Sequence, residues 1–144
     1  MTIVEIIDQS KNDLKINRDD LIHESARTPD LFSDYHKMYR AIRMIKRDFL
    51  KKLDIMEKDK YEYYSGRAPD EVYRKKPFGH KFKTKEIIMK YVNADEELLT
   101  LREKVATLEE KEDTIHTIMD QINNRSYQIS NMIKSMEFFG GNQA

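Results

Sequence analysis

A heptad repeat in the last third of the chain constrains the fold most. Leu98, Leu101, Val105, Leu108, Glu112, Ile115, Met119, Ile122, Ser126, Ile129, Ile133 and Met136 follow one another at alternating steps of three and four residues. Ten of these twelve positions are apolar. Such spacing draws one narrow apolar stripe along a helix, and the stripe needs another helix against it. Ile118 and Met132 widen it on one side, which favours more than two helices around the contact. Asn93 opens "NADE", which reads as a helix cap, and Gly140-Gly141 reads as the stop. Unbroken, the helix would span roughly 70 Å. Asn123-Asn124 is the place where it could break.

A second seam lies upstream. Tyr35, Met38, Ile42, Ile45, Phe49, Lys52, Met56, Asp59 and Tyr63 keep the same spacing, and seven of the nine are apolar or aromatic. This predicts a long helix from Asp30 to Tyr64, closed by Gly66 and kept closed by Pro69. Before it, residues 2–14 suit a short amphipathic helix capped by Thr2. Another short helix is expected from Asn17 to Arg27, ended by Thr28-Pro29, because the residue before proline avoids helical geometry. Residues 65–83 read as loop, with room for a short hairpin. Residues 84–92, "TKEIIMKYV", fit either a helix capped by Thr84 or a strand.

The expected fold is therefore mainly α, with long helices carrying heptad seams and a basic loop after the central helix. Residues 1–92 are expected to form a helical region that carries the basic loop, and residues 93–144 a helical oligomerisation region. The two seams could pair within one chain. The C-terminal helix is the longer, however, so part of its stripe would stay uncovered. Self-association is expected through Leu98, Leu101, Val105, Leu108, Ile115, Met119, Ile122, Ile129, Ile133 and Met136.

Composition removes several function classes. The 144 residues contain no Cys, so thiolate metal sites and disulfides are excluded. No stretch approaches the ~20 apolar residues of a membrane span, and the start "MTIVEIIDQSK" lacks a basic export region; the chain reads as intracellular and soluble. His23, His36, His80 and His116 show no ligand spacing beyond the pair His116 and Asp120, which does not define a metal site. No phosphate-binding glycine loop and no nucleophile motif occurs. No enzyme, metal or cofactor is expected; the chain reads as a binding protein.

Charge is neutral in total but segregated. Residues 1–36 have net charge −4, residues 37–92 have +9 and residues 93–144 have −5. Segregation of this kind makes a local positive field. Its centre is also aromatic. Lys58, Lys60, Arg67, Arg74, Lys75, Lys76, Lys81, Lys83 and Lys85 interleave with Tyr61, Tyr63, Tyr64, Tyr73, Phe78 and Phe82. Cations that track phosphates, beside rings that stack on unpaired bases, make a surface for single-stranded nucleic acid. Tyr63 lies in the seam and is expected to pack, while Tyr61 and Tyr64 face elsewhere and are candidates for stacking. Phe78 and Phe82 read as anchors of the loop. The turn "SGR" follows a helix C-terminus, where carbonyls are free, so anions would be held there by side chains.

"YYSGR" at Tyr63–Arg67, on the end of a long basic helix, resembles the UvsY family of phage recombination mediators. Ala94-Asp95 opening a long helix agrees, as do Arg125, Tyr127 and Ile129 in an Arg-x-aromatic-x-Ile spacing, followed by Met132 and Phe138. The similarity covers most of the chain and is thin before residue 55. It implies a protein that binds single-stranded DNA and helps a RecA-like phage recombinase displace the phage single-strand-binding protein and nucleate its filament, in the cytoplasm of the infected host. It also implies a ring-like homo-oligomer, described as heptameric, assembled through the C-terminal part. The family's DNA-binding basic pair falls on Lys58 and Lys60. Here Glu57, Asp59 and Glu62 dilute that pair, so the basics from Arg74 onward could carry more of the binding. A coiled-coil phage assembly or scaffolding protein would share the heptads, and an architectural protein would prefer duplex DNA.

Overall fold

The computed structural model describes residues 1–141. Five helices follow in order: α1 (Ile3–Asp13), α2 (Leu21–Tyr64), α3 (Asp70–Lys75), α4 (Lys85–Asn93) and α5 (Glu96–Gly141). No strand occurs among the described residues. The chain forms two compact units. One combines Met1–Arg43 with the chain from Glu110 onward; the other is Met44–Glu109. Each therefore takes in part of α2 and part of α5, and position 92/93 falls inside the second unit.

In the first unit, Thr2 caps α1 with a full capping box: Glu5 N–H donates to Thr2 Oγ1, and Glu5 accepts from the Thr2 N–H. The short helix expected at 17–27 and the long helix expected from 30 are one helix. Asn17 instead accepts from the Asp19 N–H and holds a turn, and Asp20 caps α2 by accepting from the His23 N–H at 3.2 Å. Pro29 lies inside α2. A proline there removes one helical hydrogen bond, yet this turn is fastened from the side. The Thr28 hydroxyl donates to the Glu24 carbonyl at 3.1 Å, and Arg125 of α5 donates to that carbonyl and to Thr28 Oγ1, each at 2.6 Å. Tertiary contacts override the local stop signal.

Arg125 is 1% exposed and also pairs with the Glu24 carboxylate. Arg27 joins it, donating to Glu24 at 3.1 Å and to the Asp13 and Lys15 carbonyls. Tyr35 donates to Asp13 at 2.8 Å. The apolar core of this unit includes Ile6, Leu21, Leu31, Tyr35, Ile42, Ile115, Ile118, Met119, Ile122 and Ile129. The helices run antiparallel here, with Glu24 against Arg125, Tyr39 beside His116 and Arg43 paired with Glu112.

In the second unit, α4 settles the open choice at 84–92. It is a helix that buries Ile88 and Val92 one turn apart. Asn93 ends α4 and does not cap α5. Asp95 does, by accepting from the Leu98 N–H at 3.0 Å. The expected loop contains α3 and no hairpin. Tyr63, Tyr64, Ile88, Val92 and Leu98 form the core, with Leu53, Met56, Tyr61, Tyr73, Phe78 and Phe82 packed against it. Asn123-Asn124 leaves α5 unbroken through its 46 residues.

The heptad stripe of α5 is buried within the single chain along most of its length. Leu98, Val105, Leu108, Ile115, Met119, Ile122 and Ile129 are buried, and Leu101 is half-buried. The expectation that all ten stripe residues face other copies is thereby corrected. Arg125, not Ser126, takes the inward position in its turn, since a 3.6-residue helix drifts against a 3.5-residue repeat. Only Ile133 and Met136 remain exposed, together with Phe138 and Phe139. In the upstream seam Tyr35, Ile42 and Tyr63 are buried, whereas Ile45 is exposed.

Candidate nucleic-acid interface

The last turn of α2 carries "YEYY", and Gly66 ends it. Gly66 has φ +79, the left-handed region that suits glycine. Its N–H donates to the Tyr63 carbonyl, and the Arg67 N–H donates to the Glu62 carbonyl at 2.8 Å. These two bonds make a Schellman motif. The Tyr73 hydroxyl, delivered by α3, also donates to the Tyr63 carbonyl at 2.7 Å. The Tyr61, Glu62 and Tyr63 carbonyls at the helix end are thus taken up internally.

The tyrosines divide differently from the expectation. Tyr63 is buried as expected: its ring stacks on Tyr73, and its hydroxyl donates to the Lys76 carbonyl at 3.0 Å. Burial, with Tyr73 beside it, raises its pKa. Tyr64 was expected to face a partner, but it is buried and donates to Asp95 Oδ2 at 2.7 Å. Its ring is therefore unavailable for stacking on a base. Burial and then the Asp95 carboxylate push its phenol far above the ordinary range. Tyr61 is half-buried against the core.

The basic residues divide as well. Lys60 is not a free cation. Its side chain is 14% exposed, and Nζ lies 3.3 Å from Asp95 and 3.2 Å from Glu97. Burial works against its charge, but Glu97 and Asp95 outweigh it and raise the pKa. Burial likewise opposes the Asp95 charge. The Tyr64 hydroxyl, the Leu98 N–H and Lys60 prevail and hold that carboxyl below its usual value. Lys58, Arg67, Arg74, Lys75, Lys76, Lys81 and Lys83 are exposed. None of them is ion-paired among the described residues. Lys76 lies 6.0 Å over the Tyr63 ring.

Between the end of α2 and α3 runs an open groove of about 760 Å³. Lys52, Lys58, Lys60, Lys75 and Lys76 line it, with Ile55, Met56 and Val72 between them. Asp59, Glu62 and Glu97 are the acidic members. Phe78 is the hub of the loop after α3, with Tyr63, Tyr64, His80, Phe82 and Tyr91 all within 6.0 Å of its ring centroid. That supports its reading as an anchor. Sequence reasoning passed over His80 and Tyr91. The alternation "HKFK" at 80–83 carried the signal for the first. Tyr91 becomes visible only once residues 84–92 are known to be helical.

The sequence profile described as "Recombination, repair and ssDNA binding protein UvsY" matches residues 9–142. The chain belongs to the UvsY family. Crystal structures of the bacteriophage T4 recombination mediator protein UvsY share its fold. One, in lattice type IV, superposes with a TM-score of 0.85 at 20% identity, covering 96% of this chain and 99% of that one. Another, in lattice type II, gives 0.82 at 21% identity, with 98% of each chain covered. No curated protein sequence matches the chain significantly. No group of three or more potential metal ligands exists among the described residues, and no helix there is long and apolar enough to cross a membrane.

Proposed function

We propose that this UvsY-family chain is a phage recombination mediator. It binds single-stranded DNA without catalysis and promotes loading of a RecA-like recombinase onto DNA covered by single-strand-binding protein. It does so in recombination, recombination-dependent replication and repair within the infected host cell. The family match over residues 9–142 carries this reading. The unpaired cations of the second unit supply its physical basis. Lys58, Lys75 and Lys76 border one groove, and Arg67, Arg74, Lys81 and Lys83 surround the adjoining loop. Contacts of this kind are tolerant of sequence and release counterions, so affinity falls with salt at a log–log slope of about −0.7 per phosphate for single strands.

Self-association belongs to the same reading, as a ring of copies, heptameric in number. Its apolar contacts are Ile133, Met136, Phe138 and Phe139, the exposed continuation of the α5 stripe. Several weak single-subunit sites on one ring add up to useful avidity.

Titration of labelled single-stranded and duplex DNA at two salt concentrations tests the proposal. Tighter, salt-sensitive binding to single strands is expected. A duplex preference would favour an architectural protein, and no DNA binding at all would favour a scaffolding role. When a RecA-like phage recombinase is then added to DNA coated with the single-strand-binding protein, the presence of this protein should shorten the lag before filament growth.

A further inference from the structure

Three rings near the basic loop form a ladder. His80 stacks on Phe82 with centroids 5.5 Å apart and planes 14° apart. Phe82 stacks on Tyr91 at 4.7 Å and 28°. Phe78 supports all three edge-on from the core side, at interplanar angles between 64° and 72°. The ladder is held at its base, its Tyr91 end also lies 5.8 Å from the Tyr64 ring, and its His80 end is open. His80 is exposed, and its ring contacts among the described residues are only Phe78 and Phe82. Tyr91 is 41% exposed, and among the described residues its hydroxyl makes no hydrogen bond. Anchoring the loop requires Phe78 and one face of Phe82. It does not require an exposed imidazole laid flat on the outer face.

We propose that the His80–Phe82–Tyr91 stack is a platform on which unpaired bases of single-stranded DNA stack, with Lys81 and Lys83 taking the neighbouring phosphates. Every base has a π-face, so such a platform binds single strands without reading sequence, while a duplex keeps its bases stacked on each other. The two lysines alternate with the two loop rings, have no ion pair among the described residues, and are exposed. The Lys81 stem lies across Gly66, whose added Cβ would sit 3.3 Å from Lys81 Cγ. Loop and helix end therefore present one continuous basic surface. The proposal rests on the single-strand-binding reading above and adds the group that recognises the bases.

The test compares a labelled thymidine oligonucleotide with an equally long abasic sugar-phosphate strand, titrated into the full-length protein. The wild type should prefer the strand with bases. Removing His80 alone would uncover Phe82, and removing both would uncover Tyr91, so the informative variant is His80→Ala with Phe82→Leu and Tyr91→Leu, which deletes all three ring faces and keeps an apolar anchor. Its preference for bases should fall by roughly fivefold or more, with affinity for the abasic strand unchanged. His80→Tyr should retain the preference. The platform is overturned if the wild type does not distinguish the two strands, if the triple variant keeps the wild-type preference, or if it loses affinity for both strands equally. Each of these results leaves wild-type single-strand binding intact. Failure of the wild type to bind any single strand would instead overturn the functional reading itself.

Discussion

Tyr64 donates its hydroxyl to Asp95 Oδ2 at 2.7 Å, while Asp95 Oδ1 accepts from the Leu98 N–H at 3.0 Å. One buried carboxylate thus joins the last residue of α2 to the first turn of α5, and Lys60 pairs with it from the side. The charge is fully partnered, which is the condition for keeping it buried. Tyr64→Phe should lower stability by about 1–3 kcal/mol, because it leaves an acceptor short of its donor. Thermal unfolding would show the loss, and affinity for single-stranded DNA should not change.

Acid should unfold the protein through this carboxylate and Glu24. Both have lowered pKa values in the fold despite burial. Tyr64, Leu98 and Lys60 act on Asp95, and Arg27 and Arg125 act on Glu24. The unfolded chain takes up these protons at the ordinary value of about 4, a higher pH than the fold does. Their stabilisation is therefore complete above about pH 4 and disappears as pH falls through the folded values. Urea midpoints measured downward from neutral pH should drop in that window, and Asp95→Asn should flatten the drop.

Lys58 and Lys60 should separate. Lys60→Ala breaks a partly buried pairing and should cost about 1–3 kcal/mol of stability. Lys58→Ala touches an exposed, unpaired cation. It should leave the melting temperature unchanged while weakening DNA binding and reducing the salt slope by about 0.7. A stable Lys60→Ala protein with reduced affinity would instead give that lysine a direct role.

Arg125 should be a stability residue. Arg125→Met leaves the buried Glu24 carboxylate with Arg27 alone and takes a donor from the Glu24 carbonyl and Thr28 Oγ1, and should cost about 1–3 kcal/mol. Adding Glu24→Gln should recover part of that loss, because the under-partnered charge is gone. A double variant as unstable as the single one would show that packing, not charge, makes Arg125 necessary.

Assembly should depend on the end of α5. Met136→Asp with Phe139→Asp should shrink the oligomer in sedimentation and leave the melting temperature of the subunit nearly unchanged. Ile122→Asp should unfold the chain, because Ile122 is fully buried within it. An intact oligomer in the first variant would move the contact away from the exposed stripe.

The sequence by itself determined that the protein is helical, where α1 begins, that Gly66 closes α2, and that two apolar stripes run along the two long helices. It also held the family signature and the basic aromatic stretch, because those depend on local spacing and residue type. Tertiary structure decided what each side chain does. Pro29 reads as a stop in any one-dimensional account, but Arg125, nearly a hundred residues on, fastens the turn around it. Lys58 and Lys60 look alike in the chain, and only the arrival of Asp95 and Glu97 beside one of them makes it a strut. Tyr63 reads as a seam residue and packs as one, but Tyr64 looks like a surface residue until Asp95 takes its hydroxyl. The physical reason is common to all three: local propensities set the backbone, but burial and pairing come from segments far away in sequence.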